Sequence, residues 1–294
     1  MKTYSRRDFL KITGITLTAS QINIFPNFQR SFLQNTYQGR ALSAAPIYSA
    51  PNSASEIVAT LWPDSVSHIR TANENWYRLS DGYVERGELQ PMFPQERTAD
   101  FEIPVFPFWA EVVGPVAPIR EHCAANAPLI TRIGHGGVAQ VIDYLPGEPD
   151  GWYGISEDDG NLMGWTQAIH WQPIVETSLS GSENTIRIEI ATQTLSVEQN
   201  RMIVLQTPCS VDPGTKHGIY FLEQHKLGGT YKAIEGIFHG VPWQLSFDAG
   251  IKLMGVYWHN QFGKALQGPA VQVSPLLAQW LYRSMNTGDQ MVVA

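Results

Sequence analysis

The chain has 294 residues, of which 43% are hydrophobic and 11% aromatic, enough apolar material for roughly two or three ordinary cores. Its formal net charge is −7, which argues against nucleic acid as a partner and against adhesion to anionic lipid. No apolar run beyond the N-terminal region reaches the length of a membrane span, so no stable span is expected in the mature chain.

The first element in chain order is Ser5 to Lys11, SRRDFLK. Arg6 and Arg7 present two adjacent fork-shaped donors, and a modestly apolar run, Ile12 to Ala19, follows them. The run is too short to cross a bilayer, and Gln21 and Asn23 interrupt what comes next. The heptapeptide resembles the twin-arginine export signal in every consensus position. That resemblance implies a signal peptide over residues 1–45, cleaved among the small residues Ala41 to Ala45, and a mature chain in the cell wall, the periplasm or outside the cell. No cysteine lies there to carry a lipid anchor. The leader takes six basic residues and one acid, leaving 14 Lys and Arg against 26 Asp and Glu, a net charge of −12.

The middle of the chain carries a weak internal repeat. Asn73 to Pro91 and Asp150 to Pro173 each contain a Trp-Tyr pair in an alternating run, an Asp-Gly turn, a second short run and a terminal proline. Asp-Gly between alternating runs predicts a hairpin, because the turn needs a positive φ that glycine adopts cheaply. The second copy follows the runs Ala110 to Arg120 and Gly136 to Tyr144. With Val116, Ile119, Arg120, Val138, Val141, Gly151, Trp152, Gly164, Trp165 and Thr166 in place, it resembles the bacterial type of Src homology 3 domain. A small-barrel domain is therefore expected over 106–174, with a partial or diverged version over 50–105.

From Ile186 to Val211 apolar and polar residues alternate in two runs split at Glu198 to Arg201, which predicts a β-hairpin. Near the C-terminus, Ser274 followed by Pro275 predicts an N-cap and first helical position for a helix over Pro275 to Met285. Gly288 then releases the chain into a last strand, Gln290 to Val293. The whole reads as mostly β: small-barrel modules, then a β-rich domain with a short C-terminal helix.

The segment Met254 to Tyr282, MGVYWHNQFGKALQGPAVQVSPLLAQWLY, resembles the catalytic signature of the L,D-transpeptidase (YkuD-type) family, which reads HGTYWHN, FG, SHGCVN and SPEDAxWLY. Tyr257, Trp258, His259, Asn260, Phe262 and Gly263 match the first blocks, and Val271, Ser274, Pro275, Ala278, Trp280, Leu281 and Tyr282 the last. Upstream, Thr194, Leu195, Arg201, Thr215 to Tyr220, Lys226 and the Gly240 to Trp243 block follow the family's order, with His217 where a proline usually stands. The resemblance spans residues 184–294 and implies that fold, with peptidoglycan stem peptides as partners and acyl transfer from a cysteine thiolate as the activity. The reacting atoms are missing. Met254 and Gly268 stand at the two histidine positions and Ala270 at the cysteine. A thioether, a hydrogen and a methyl group supply neither nucleophile nor base.

Two readings follow. In the leading one the chain is an exported, peptidoglycan-associated relative that binds wall peptides or partner proteins without acyl transfer. In the alternative it is an active transpeptidase using a displaced nucleophile such as Cys209. A further possibility puts the working surface on the barrels. Trp243, Tyr257, Trp258 and His259 are the candidates for lining a substrate groove or the core beside it. His259 is expected to orient its loop. Cys123 and Cys209 are expected as two separate buried thiols, a disulfide between them being the alternative. The eight histidines show no HExxH or close paired spacing, so neither metal nor cofactor is expected.

Overall fold

The computed structural model describes residues 37–73, 75–92, 105–147, 150–175, 184–234 and 236–294. Arg6 and Arg7 lie outside the described residues. Within them the chain is mostly β, with one short α-helix.

The first unit contains β1 (Tyr37–Ala41), β2 (Ala45–Tyr48), β3 (Ile57–Leu61), β4 (Val66–Ile69), β5 (Thr71–Ala72), β6 (Trp76–Arg78), β7 (Tyr83–Glu85) and β8 (Leu89–Met92). They form a three-stranded sheet ordered β4-β1-β8 and a five-stranded sheet ordered β3-β2-β7-β6-β5. Ala41, Ala45, Ile47, Leu61, Ile69, Tyr77, Leu79, Val84 and Leu89 fill the space between them. The Asp81-Gly82 turn joins β6 to β7 as expected. Gly82 has φ +156°, and a Cβ there would lie 2.3 Å from the Tyr48 carbonyl oxygen, so only glycine fits.

The leader expected over residues 1–45 overlaps this unit. Residues 37–48 form β1 and β2, and Ala41 and Ala45 are both fully buried. Cleavage between them would remove the central strand of the three-stranded sheet. A leader compatible with this fold ends before Tyr37.

The second unit contains β9 (Phe108–Val112), β10 (Val116–Arg120), β11 (Leu129–Gly134), β12 (Val138–Leu145), β13 (Trp152–Ser156), β14 (Leu162–Gln167) and β15 (Trp171–Pro173), in one sheet ordered β11-β10-β14-β13-β12-β9-β15. The Asp159-Gly160 turn joins β13 to β14, with Gly160 at φ +85°. In both repeat copies the tyrosine of the Trp-Tyr pair is buried, Tyr77 and Tyr153, while the preceding tryptophan is half-buried. In the first copy this continues as the two-residue alternation of a strand with one face on a core, whereas in the second Tyr153 to Ser156 are all buried. Trp171 is fully buried and its indole N–H donates to Thr166 Oγ1 at 3.2 Å.

The third unit contains β16 (Asn184–Glu189), β17 (Thr194–Gln199), β18 (Met202–Pro208), β19 (Ser210–Val211), β20 (Gly218–Lys232), β21 (Ile237–Phe247), β22 (Lys252–Gly255), β23 (Val271–Val273), α1 (Pro275–Ser284) and β24 (Gln290–Val293). Its sheet order is β18-β17-β16-β24-β20-β21-β22-β23-β19. The hairpin expected over 186–211 proves to be a three-stranded meander. The first run breaks at Ile190 to Gln193, where Gln193 takes φ +52° and its side chain donates to the Ile190 carbonyl. The second turn falls at Asn200 and Arg201, also at positive φ. The helix begins as expected: Ser274 is extended and its hydroxyl accepts from the Leu277 N–H. Gly288, at φ +93°, precedes β24, which runs parallel to β16.

The units are closely joined. Gly228 passes so near the Val138 carbonyl that a Cβ would sit 2.1 Å from it, and Val138 belongs to the core of the third unit. Asp158, at the β13–β14 turn, accepts from Lys226 Nζ, Thr230 N and Thr230 Oγ1, so the second unit grips the β20–β21 hairpin.

Candidate functional site

Parallel strands β22 and β23 frame the segment that resembles a catalytic signature, pairing Met254 with Gln272 and Gly255 with Val273. Residues 256–270 form the connection between them. Met254 is 3% exposed and contributes a buried thioether rather than a surface group. Ala270 enters β23, and its carbonyl accepts from Asp212 N and Thr215 Oγ1, both at 3.1 Å. Asp212 organises the turn opposite, its carboxylate accepting from Gly214 N at 2.7 Å and Gly268 N at 2.9 Å. Gly268 sits at φ +150°, and a Cβ there would come 2.8 Å from Gln272 Nε2. The Gln272 side chain therefore fills the space beside position 268, and the residue is 1% exposed.

His259 reaches into the same space. Its Nε2 lies 2.9 Å from Gln272 Oε1, and its Nδ1 accepts from Gln261 N at 3.2 Å. An imidazole that accepts at Nδ1 and donates at Nε2 is neutral. Burial holds its pKa below the usual imidazole value, outweighing the opposite pull of Gln272. The Gln272 amide N–H completes the chain by donating to the Leu266 carbonyl at 3.2 Å. Sequence reasoning missed Gln272. Its signal was the register: it occupies the family's asparagine position, two residues after Ala270.

Of the expected groove residues, Trp243 is 1% exposed and lies in the third unit's core, with the Arg283 guanidinium over its ring at 5.5 Å. Tyr257 is also buried; it joins the second unit's core and donates its hydroxyl to the His239 carbonyl at 2.6 Å. Both side chains pack into cores. Trp258 is half-buried and stacks on Phe238 at 4.1 Å between centroids. The first unit also docks on this segment. Arg40 Nη2 donates to the Tyr257 carbonyl at 2.7 Å, and Asn260 Nδ2 donates to Tyr77 Oη and the Arg86 carbonyl. The retained YWHN block is thus where all three units meet.

Both cysteines are free, so the disulfide alternative does not hold. Cys209 is fully buried, and loss of water contact pushes its thiol up to about 12. Cys123 is only half-buried, which corrects the expectation of a second buried thiol. Among the described residues no group of three or more His, Cys, Asp and Glu could hold a metal ion, and no helix is long and apolar enough to cross a membrane.

Residues 42–91 match the bacterial SH3 domain family. The match falls on the repeat copy read from sequence as the more diverged, and the first unit is referred to below as the SH3 unit. No curated protein matches the chain. Among solved structures, the chain is similar to an L,D-transpeptidase from Mycobacterium tuberculosis H37Rv, with 15% identity, a TM-score of 0.36, and coverage of 45% of this chain and 73% of that one. It is also similar to an L,D-transpeptidase from Stackebrandtia nassauensis, at 17% identity and a TM-score of 0.33 over 40% of this chain and 58% of that one. The catalytic domain of the Enterococcus faecium L,D-transpeptidase aligns at 16% identity and a TM-score of 0.34, covering 38% of this chain and 96% of that domain.

Proposed function

We propose that the chain is an exported, peptidoglycan-associated protein that binds wall peptides or partner proteins through an L,D-transpeptidase-like unit that performs no acyl transfer. The observation that carries this reading is the interior of the signature segment. Ala270 ends in a methyl group where a thiolate would attack, and His259, the remaining imidazole in the segment, has both nitrogens engaged. Acyl transfer by a thiol needs a nucleophile and a group that takes its proton and returns it to the leaving amine. Neither is free here. The SH3 unit supports wall association, since such small barrels often accompany wall enzymes as binding modules. Export by the twin-arginine route rests on SRRDFLK with Arg6 and Arg7.

Cys209 is a poor substitute nucleophile. At a pKa of about 12 its thiolate is scarce at neutral pH, and a fully buried sulfur meets no stem peptide. The deciding experiment incubates the purified protein with tetrapeptide-bearing muropeptides and, separately, with a carbapenem. Binding without turnover and without a covalent mass increase is expected. An adduct on Cys209, or release of terminal D-alanine, overturns the reading.

A further inference from the structure

Glu111 is a carboxylate in an unusual place. It lies on β9, on the face where the second unit meets α1 of the third, and Gln279 Nε2 on the helix donates to its Oε2 at 3.3 Å. Around it the helix is closely seated: a Cβ on Gly136 would stand 2.6 Å from Pro275, the first helical residue, and 4.0 Å from Glu111 Oε1. Directly across the antiparallel pair from Glu111 is Gln172 of β15. Residues opposite one another in such a pair project to the same face at close range. The Gln172 side-chain oxygen is buried and has no hydrogen-bond donor. A buried amide oxygen without a donor is costly, whereas a neutral carboxyl beside it has an O–H to give.

We propose that Glu111 is a proton-operated latch between the second unit and the C-terminal helix, closed when its carboxyl is neutral and bridges Gln172 to Gln279. Ionisation removes the O–H, leaves Gln172 without a donor and puts a charge into the junction. The charged group facing Glu111 from the helix is Arg283, which favours the ionised form but makes no ion pair with it within 4.0 Å among the described residues. On the adjoining turn, His135 directs Nδ1 to the Gly114 carbonyl at 3.1 Å, and across the junction Arg40 adds to the positive field around that ring. Desolvation dominates at Glu111 and pushes its carboxyl up to about 7, against the pull of Arg283 and Gln279.

The sign follows from linkage. A carboxyl whose pKa rises on closing binds a proton more tightly closed than open, so closing is favoured in acid and loses ground as pH climbs from the open value of 4.5 toward about 7. His135 acts in the opposite sense, being held neutral by burial with its pKa lowered to about 4. A comparison of the full chain with Glu111→Gln, which mimics the neutral carboxyl, cancels the His135 contribution. Hydrogen exchange of the amides of α1 and β9, corrected for intrinsic rate, reads the opening. The ratio of wild-type to variant opening constants is expected to rise about tenfold per pH unit between pH 5 and pH 7 and to level off above. The carboxyl carbon of Glu111, followed by NMR in the unmodified protein, is expected to titrate near pH 7, and Gln172→Leu is expected to lower that midpoint. A ratio flat with pH, or a Glu111 midpoint near 4.5, overturns the proposal.

Discussion

His259 Nε2 lies 2.9 Å from Gln272 Oε1, and the Gln272 side chain in this contact fills the space beside Gly268, where the family resemblance would place a histidine. Gln272 is held in turn by the Leu266 carbonyl, and His259 by the backbone N–H of Gln261. The polar side chains at the centre of the segment are satisfied from within the protein.

A thiol placed at position 270 alone is expected to give no acyl transfer. In Ala270→Cys the new sulfur has no imidazole at 254 or 268, and His259 remains tied to Gln272. The variant is expected to show no stem-peptide turnover and no carbapenem adduct above background by intact-mass measurement. Rapid acylation of this single variant would show that another group near position 270 serves as the base.

Gly268 is a second consequence of the same packing. With φ at +150° and 2.8 Å between a Cβ and Gln272 Nε2, a side chain there is strained and displaces Gln272. Gly268→Ala is expected to destabilise the protein by about 1–3 kcal/mol, read as a lower urea midpoint with unchanged slope. Relief of the penalty in the double variant with Gln272→Ala would locate its source in that contact.

Much of this architecture was legible in the sequence, and the misses have particular causes. Asp81-Gly82, Asp159-Gly160 and the Ser274-Pro275 helix start are local signals, fixed by φ preference and capping, and each stands where expected. The break at Ile190 to Gln193 was not legible, because Gln193 takes positive φ without being glycine and is held there by its own side chain. Trp243 and Tyr257 stand as groove candidates only by their place in a family motif. Trp243 is buried beside Tyr282 and Arg283 of the third unit, and Tyr257 in the core of the second, and no local pattern encodes either contact. Gln272 escapes sequence reasoning for the same reason: its role exists only once β22 and β23 lie side by side.

The two thiols should separate cleanly in reactivity. Cys209 is fully buried with its thiol pushed up to about 12, whereas Cys123 is half-buried and raised by burial and by Asp143. Alkylation of the native protein at pH 8 is expected to label Cys123 slowly and Cys209 only after denaturant is added, with peptide mass mapping as the readout. Equal labelling of both in the native state would contradict the buried placement of Cys209.

Arg40 ties the SH3 unit to the rest. It is 6% exposed, pairs with Asp64 at 2.7 Å, donates to Gln90 Oε1 at 3.0 Å and reaches the Tyr257 carbonyl at 2.7 Å. Arg40→Ala leaves a buried carbonyl and an amide oxygen without donors, and is expected to cost roughly 3 kcal/mol. Arg40→Lys is expected to recover less than half of this, since an ammonium cannot serve three separated acceptors with a planar fork. Denaturant melts of the two variants measure the difference.

The N-terminal boundary gives the last test. β1 is the central strand of the β4-β1-β8 sheet and carries Arg40, while Ala41 and Ala45 lie in the core of the SH3 unit at zero exposure. A chain lacking residues 1–36 keeps all of these, and is expected to melt cooperatively at the temperature of the full chain. A chain lacking residues 1–45 loses the strand, the arginine and two core positions, and its SH3 unit is expected to lose amide protection and become protease-sensitive. If the protein is processed so that its new N-terminus lies after Ala41 and β4 and β8 are still protected from exchange, the strand order described here is wrong at its centre. An N-terminus at or ahead of Tyr37 is the outcome this packing allows.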